Sequence, residues 1–222
     1  MALEIWRRLR KNKMAMLGLV ILVMLALTAI FADVIADYDT KVIAQDIKNR
    51  LQGPSMEHWC GTDEFGRDIF ARLVHGSRVS LVVGLISVSI SLLMGGALGA
   101  IAGYYGGRVD NVIMRIMDIF LAVPSILLAM TIVAALGTSL INVMLAIGVS
   151  GIPGYARIVR ASVMSIKDQE FVEASRAIGA KSPTTIFREI LPNCLAPIIV
   201  QATLSVAGAI LSTASLSFIG LG

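Results

Sequence analysis

The charged segment 157–189 holds the side chains in this sequence whose types and spacing could do chemistry. It lies between two long uncharged stretches, and between Lys167 and Gly179 it mixes acidic, basic and small apolar residues. A connection between two membrane helices needs only a few turn residues, so an ordered polar segment here predicts a docking surface. The chemistry expected of it is ion pairing and helix packing with something in the aqueous phase.

Two short helices joined by a glycine turn are predicted within this segment. Gly179 stands where a helix end adopts positive φ, and Ser182-Pro183 supplies an N-cap and a first-turn proline for the second helix. We expect that helix to end at Pro192, where the chain enters the membrane. The first helix has an apolar face made by residues at helical spacing: Phe171, Ala174 and Ile178.

Amphipathicity alone leaves two interpretations of the first helix open. It could be a connector lying on this protein's own helices or on the lipid surface, or a helix that inserts into a groove on a cytoplasmic partner. A helix on the lipid surface favours a strongly basic polar face. Asp168, Glu170 and Glu173 balance much of the basic charge here, which weighs against the lipid-surface version.

The composition identifies an integral membrane protein. Hydrophobic residues make up 56% of the 222 residues, charged residues only 15%, and the mean hydropathy is +0.81. One crossing takes roughly 20 helical residues. The third of the four uncharged runs is nearly twice that length and has a turn-prone middle, 137–142, so we predict five spans in an all-α bundle. The four runs are 14–32, 79–107, 119–156 and 190–222.

The distribution of basic residues predicts the topology. Thirteen of the 19 Lys and Arg residues fall in the N-terminal tail, the second short loop and the segment 157–189, so we place these in the cytoplasm. Segment 1–32 is then a cytoplasmic tail and first membrane helix, 33–78 is extracytoplasmic, and 79–222 is the membrane core. The net charge of +4 reflects this topology. The sequence contains no basic stripe with interleaved aromatic residues, so it does not predict nucleic-acid binding.

The sequence predicts no catalytic residue and no metal site. His58 and His75 both lie in the external segment without a metal-ligand or nucleophile pattern, which disfavours a membrane-embedded enzyme. Cys60 and Cys194 would lie on opposite sides of the membrane and are predicted to be free thiols. The sequence also lacks the glycine-rich phosphate loop of an ATPase. Ion-coupled carriers usually place an ionisable residue in the middle of a span, and none of the predicted spans has one there, which disfavours such a carrier.

A row of small residues predicts close helix packing in the second span. Gly95, Gly99 and Gly103 recur every four residues and line one face of the helix. The spacing does not distinguish packing within the chain from packing against a partner subunit.

At its polar segment the sequence resembles the membrane permease subunits of binding-protein-dependent ABC importers. The signature of that family begins Glu-Ala-Ala, continues with a glycine and closes with an Ile-Leu-Pro cluster; here these are Glu173-Ala174-Ser175, Gly179 and Ile190-Leu191-Pro192. In such permeases this segment is a coupling helix that docks on the ATP-hydrolysing subunit. The resemblance therefore assigns docking to Glu173, Ala174, Ser175, Arg176, Gly179, Leu191 and Pro192.

Further blocks resemble permeases for dipeptides, oligopeptides and nickel. These blocks are 61–68, 72–73, 76–81, 101–107 and 192–198. The resemblance implies the helical bundle of a type I importer permease. Members of this group continue past the block that ends here at Gly222 into another external loop and a sixth span. That sixth span is missing from this sequence.

The resemblance implies a multi-pass permease of the inner membrane with a cytoplasmic N-terminus. It would pair with a homologous second permease in the lipid bilayer, bind two ATP-binding subunits and receive substrate from an extracytoplasmic solute-binding protein. It would bind no cofactor directly, because the partner subunits use the ATP. Di- and oligopeptides are the expected substrates; nickel, another small solute, and a non-transporting membrane scaffold are the alternatives.

Overall fold

The computed structural model describes residues 2–221, so Met1 and Gly222, the outer limits of the predicted segments, lie outside it. Helices account for most of the described residues, which contain no strand, and the all-α prediction is confirmed. The helices are α1 (Ala2–Lys11), α2 (Lys13–Ile30), α3 (Ala32–Ile35), α4 (Ile69–Tyr105), α5 (Gly107–Leu121), α6 (Ser125–Leu136), α7 (Leu140–Ile166), α8 (Glu170–Ala177), α9 (Ser182–Thr184) and α10 (Leu191–Phe218).

The chain forms two compact units, residues 1–82 and 83–222. The boundary falls inside α4, a few residues beyond the limit of the predicted extracytoplasmic segment. In the first unit, α2 begins where the Asn12 side chain accepts hydrogen bonds from the amides of Met14 and Ala15. The helix that follows is long and apolar enough to cross a membrane.

Asp63 organises the polar loop of the first unit. Its carboxylate accepts hydrogen bonds from the backbone amides of Phe65 and Arg67, and from the guanidinium groups of Arg67 and Arg72. Burial acts to raise the Asp63 pKa, but the hydrogen bonds from Arg67 and Phe65 and the charge of Arg67 outweigh it and lower the pKa to about 2. The loop is therefore held together by an ionised carboxylate.

The described residues contain four to five candidate membrane spans, against the five predicted. Four helices of the described part are each able to cross a membrane, and α5 with α6 makes a fifth if the bent pair counts as one span. These two helices meet at 83°. The break falls at Pro124, because proline has no amide for the helix ladder and disfavours helical backbone at the residue before it.

The predicted turn in the third apolar run lies where the sequence placed it. After α6 ends at Leu136, Gly137 adopts φ +95° and Ser139 accepts a hydrogen bond from the Asn142 amide to cap α7. The Asn142 side-chain nitrogen also donates to the carbonyls of Leu136 and Gly137. The turn is thus closed by two side chains at the start of α7, Ser139 and Asn142.

The prediction that the second short helix ends at Pro192 is wrong. The helix that begins at Ser182 continues without a break through α10 to Phe218. A π-helical turn, Thr185–Ile190, precedes the proline. Its wider backbone accommodates a residue without an amide, and the Asn193 side chain donates to the Glu189 carbonyl.

Candidate functional site

The predicted docking helix is present as α8, and Gly179 follows it with φ +86°. The amide of Gly179 donates to the Arg176 carbonyl and that of Ala180 to the Ser175 carbonyl, so the turn is closed by backbone hydrogen bonds. A Cβ built on Gly179 meets no atom within 4 Å. The requirement for glycine at this position therefore comes from the backbone conformation and not from crowding.

The predicted apolar face of α8 is not covered by this chain's own helices. Phe171, Ala174 and Ile178 are all exposed, and Ile178 reaches 86%. Phe187, in the π-helical turn that follows, is 70% exposed. This face is therefore not packed against the described residues, and the lipid-surface connector and the docking helix both remain predictions.

α8 is attached to the rest of the second unit through Val172 and Arg176. Val172 is 0% exposed, and the Arg176 guanidinium lies 5.0 Å from the centre of the Tyr104 ring at the end of α4. Val172 belongs to a buried apolar cluster whose other members are Ala100, Val159, Val163, Ile186, Ile190, Cys194 and Ile198. This cluster joins α8 to α4, α7 and α10.

The remaining predicted docking residues differ in their surroundings. Glu173 and Pro192 are exposed, Ser175 is half-buried, and Leu191 packs against the buried cluster around Val172. Leu191 therefore stabilises the segment from inside, whereas Glu173 and Pro192 are accessible to a partner.

Two ion pairs that the sequence did not predict join α5 to α7. Arg160 binds both carboxylate oxygens of Asp110 at 2.5 Å, and Arg157 contacts Asp118 at 2.6 Å. The sequence predicts that Arg157 and Arg160 lie in a cytoplasmic connection, but α7 continues helically to Ile166. The spacing of Asp110 and Asp118, two helical turns apart, was the available signal, because it puts both on one face of α5.

The three glycines of the second span lie against α7. A Cβ at Gly95 would collide with the Ile152 carbonyl, one at Gly99 with the Ala156 carbonyl, and one at Gly103 would lie 2.9 Å from the Arg160 carbonyl. Next to this seam, Ser87 and Ser91 of α4 donate to the carbonyls of Met144 and Gly148 at 3.1 and 2.6 Å. In this chain the glycine face therefore makes a contact between two of its own helices.

A cavity of about 350 Å³ lies among the membrane helices of the second unit. None of the described residues that line it is charged, and many are small or carry a hydroxyl group. The Tyr155 side chain borders it and is 3% exposed, and its buried hydroxyl has the Ser205 hydroxyl as its hydrogen-bonding neighbour. Polar lining residues include Ser87, Ser91, Ser125, Ser150, Gln201, Ser205 and Ser212.

The chain matches two protein-family models. Residues 95–222 match the binding-protein-dependent transport system inner membrane component. Residues 2–54 match the N-terminal TM domain of oligopeptide transport permease C. The first match covers more than half of the chain.

Individual relatives are similar over nearly the whole chain. The dipeptide transport system permease protein DppC of Alkalihalophilus pseudofirmus is 52% identical over 219 residues, which are 99% of this chain and 71% of the relative. The di/tripeptide permease protein DppC of Pseudomonas aeruginosa is 46% identical, over 99% of this chain and 74% of the relative. The glutathione permease protein GsiD of Shigella dysenteriae is 44% identical, over 99% and 72%.

A solved structure has a similar fold. The inward-facing MetNI methionine ABC transporter matches with a TM-score of 0.59 and 24% identity, over 68% of this chain and 75% of that chain. The likeness supports the helical permease architecture.

Proposed function

Because this chain belongs to the family of binding-protein-dependent transport system inner membrane components, the permeases of ATP-driven importers, we propose that it carries di- and oligopeptides and docks on its ATPase through α8. It is a transport component, and separate subunits of such importers hydrolyse the ATP. The peptide assignment is supported by the names of three similar relatives, which refer to dipeptides, di/tripeptides and glutathione.

One observation carries the docking proposal. α8 presents exposed Phe171 and Ile178 while Val172, on the same short helix, is fully buried in the cluster that joins α4, α7 and α10. An uncovered apolar face and a buried anchoring residue are the features expected of an amphipathic helix that binds in a groove of a partner. Glu173, Ala174, Ser175, Arg176 and Gly179 lie on this helix or on its closing turn, and Pro192 is accessible beyond it.

The docked assembly contains a second, homologous permease, two ATP-binding subunits and an extracytoplasmic solute-binding protein. The N-terminus lies in the cytoplasm of the cell that holds the importer in its inner membrane. Closure of the ATPase pair pulls on α8 and changes which side of the pathway is open. The chain binds no cofactor itself, and its partners use the ATP.

Co-purification tests the docking surface. The chain is expressed with its genomic neighbours, and Ile178→Ser is compared with Met56→Ser, a matched loss of an exposed apolar side chain in the external segment, where Met56 is 97% exposed. We expect Ile178→Ser and a Glu173→Ala, Gly179→Val double variant to lose the ATPase subunit while Met56→Ser retains it. Retention of the ATPase by all variants would refute the role of α8.

Uptake tests the substrate. Cells carrying the importer should accumulate labelled dialanine in an ATP-dependent manner, and Ni²⁺ should not compete. Nickel uptake without peptide uptake would move the assignment to the alternative substrate, and uptake of neither would favour the non-transporting scaffold.

A further inference from the structure

We propose that α1 lies on the membrane surface and binds the phosphate groups of anionic phospholipids. The inference goes beyond the proposed function, because it uses neither the peptide assignment nor the docking of α8. α1 comprises Ala2–Lys11, and the apolar span α2 follows it after one residue. Three observations support the proposal: the level of α1 in the membrane, its two faces and its charge.

The length of α2 places the end of α1 at the level of the lipid headgroups. α2 has 18 residues and extends about 27 Å, close to the roughly 30 Å of the hydrocarbon core. A span of this length uses all of its residues to cross, so Lys13 at its start lies at the edge of the hydrocarbon. Only Asn12 separates Lys13 from α1. The C-terminal end of α1 therefore lies in the headgroup region.

The backbone at Asn12 separates the directions of the two helices. Asn12 has φ −97° and ψ 104°, an extended conformation, whereas a continuous helix would need helical angles at this residue. Its side chain accepts hydrogen bonds from the amides of Met14 and Ala15, and its own amide donates to the Leu9 carbonyl at 3.0 Å. Both helix ends are therefore completed at one residue, and α1 is not a straight extension of α2 into the aqueous phase.

α1 has an apolar face and a basic face. Trp6 and Leu9 lie three residues apart and share one face, while Arg7 and Lys11 lie four residues apart and share another. At 3.6 residues per turn the centres of these two faces are about 150° apart around the helix axis. Trp6 is 46% exposed, and Arg7 and Lys11 are exposed as well. A tryptophan-bearing apolar face opposite a basic face is typical of a helix that lies in the membrane interface.

The charge of α1 selects anionic lipids. Its ten residues include one acidic residue, Glu4, and four basic ones: Arg7, Arg8, Arg10 and Lys11. None of the described carboxylates pairs with Arg7, Arg10 or Lys11, so these cations are available to lipid phosphates. A basic cluster at the membrane surface attracts negatively charged headgroups, and a guanidinium can donate two parallel hydrogen bonds to one phosphate.

The surroundings of α2 favour lipid over a partner protein as the occupant. Ala29, near the far end of the span, is the one buried residue of α2. Met14 and Leu17, in its first turns, are 79% and 56% exposed. The described chain therefore leaves space for lipid beside the start of α2, which is the level at which α1 lies.

Two comparisons within the chain show that this charge pattern is specific to α1. α8 is also amphipathic, but it carries Glu170 and Glu173 against Arg176 alone. At the other end of α2, residues 33–39 contain three aspartates and no basic residue. An anionic lipid surface therefore attracts the N-terminal end of α2 and neither its other end nor α8.

Quenching of Trp6 fluorescence by brominated lipids tests the site in the full chain. The chain has two tryptophans, so Trp59→Phe leaves Trp6 as the single reporter. The chain is reconstituted in phosphatidylcholine vesicles that contain an equal minor share of either dibromo-phosphatidylglycerol or dibromo-phosphatidylcholine, with the bromines near the top of the acyl chain. The ratio of the two association constants measures the preference of α1 for the anionic headgroup.

One double variant and a matched control separate the role of α1 from a general effect of charge. Arg7→Gln with Lys11→Gln removes two exposed cations from the basic face, and glutamine maintains the helix. Lys48→Gln with Arg50→Gln removes two exposed cations from the segment between α3 and α4. Both pairs are made in the Trp59→Phe background.

We expect dibromo-phosphatidylglycerol to quench Trp6 more strongly than dibromo-phosphatidylcholine does. The α1 variant should lower the ratio of association constants roughly fivefold for each lost cation, the fold-change that corresponds to about 1 kcal/mol per basic residue at an anionic surface. The control should keep the native ratio. Raising the salt to about 1 M, where the Debye length is about 3 Å, should reduce the native preference and change that of the α1 variant little.

Hydrogen exchange extends the test to the assembled importer without any substitution. Amides of α1 are compared in nanodiscs of phosphatidylglycerol and of phosphatidylcholine, and we expect slower exchange in phosphatidylglycerol. This measurement also decides if the α1 variant fails to insert, because it uses the native chain.

Four results would overturn the inference. Equal quenching of Trp6 by both lipids would mean that α1 does not select the anionic headgroup, and quenching by neither would mean that it does not lie on the membrane. A native ratio in the Arg7→Gln, Lys11→Gln variant would show that these cations do not bind the phosphates. Equal exchange of α1 in both kinds of nanodisc would assign its surface to a partner subunit instead of lipid.

Discussion

Replacing Val172 with alanine should release α8 from the rest of the second unit without unfolding the longer helices. Val172 is 0% exposed within the cluster that contains Val163, Ile186 and Ile190. The substitution removes two methyl groups from this cluster, at about 0.8 kcal/mol each. The space left behind adds roughly 0.5 to 1 kcal/mol, because surrounding side chains relax only partly. The total of about 2 to 2.5 kcal/mol corresponds to a roughly 30-fold to 70-fold rise in the open population of α8.

Hydrogen exchange followed by mass spectrometry measures this opening directly. Amides of α8 should exchange roughly 30-fold or more faster in Val172→Ala, while those in the middle of α7 and α10 keep their protection. Ile178→Ala is the matched control, because Ile178 caps the same short helix at its C-terminal end and is 86% exposed. Its exchange should equal that of the native chain.

Two results would refute this reasoning. Unchanged exchange in α8 would mean that Val172 is not its anchor and that the Arg176 contact with Tyr104 holds the helix alone. Equal loss of protection in α8, α7 and α10 would mean that the segment is not a separate opening unit, and the cluster would then be part of one cooperative core.

Three further predictions concern the two ends of the membrane and the glycine turn. A membrane-impermeant maleimide added to spheroplasts should label Cys60, which is exposed, and leave the buried Cys194 unlabelled; labelling only after the cells are opened would reverse the proposed orientation. Gly179→Ala should cost about 1 to 2 kcal/mol and weaken ATPase co-purification, whereas Gly179→Asn should retain most of it, since asparagine tolerates positive φ; equal loss in both variants would point to a side-chain clash instead. The folded pKa of Asp63 is about 2 and its ordinary value is 3.8, so its stabilisation of the polar loop is complete above about pH 4 and is lost as the pH falls towards 2. Trp59 fluorescence in a Trp6→Phe background should follow that loss, and Asp63→Asn should give the altered signal already at pH 5; a native signal that stays flat to pH 2 would contradict the assignment.

The sequence was sufficient for the features that depend on local composition. The apolar runs marked the membrane helices, the turn at 137–142 follows from its small and polar residues, and Gly179 was recognised as a positive-φ helix end. Each of these is a short-range property of the chain. The family followed as well, because several separate sequence blocks agreed in order and spacing with known permeases.

The errors came where tertiary packing or backbone adjustment decides. Pro124 broke a span, whereas Pro153 and Pro192 lie in continuous helices, and proline alone does not tell these cases apart. The apolar positions of α8 were correctly grouped, but the residue that is buried is Val172, which lies off that face. The pairing of Asp110 with Arg160 joins positions 50 residues apart, a distance over which periodicity carries no information.

The glycine contact between α4 and α7 has a mechanical consequence. Two helices that meet backbone to backbone have no layer of side chains between them that could adjust when one helix slides or rotates against the other. The pair therefore moves as one rigid body. Near one end of this helix pair, Tyr104 of α4 contacts Arg176 of α8. Further along α4, Gly95 lies against the α7 backbone beside Tyr155. A force at α8 that is strong enough to rotate α4 must therefore also rotate the wall of the cavity, which lies about two to three helical turns from Tyr104 along α4.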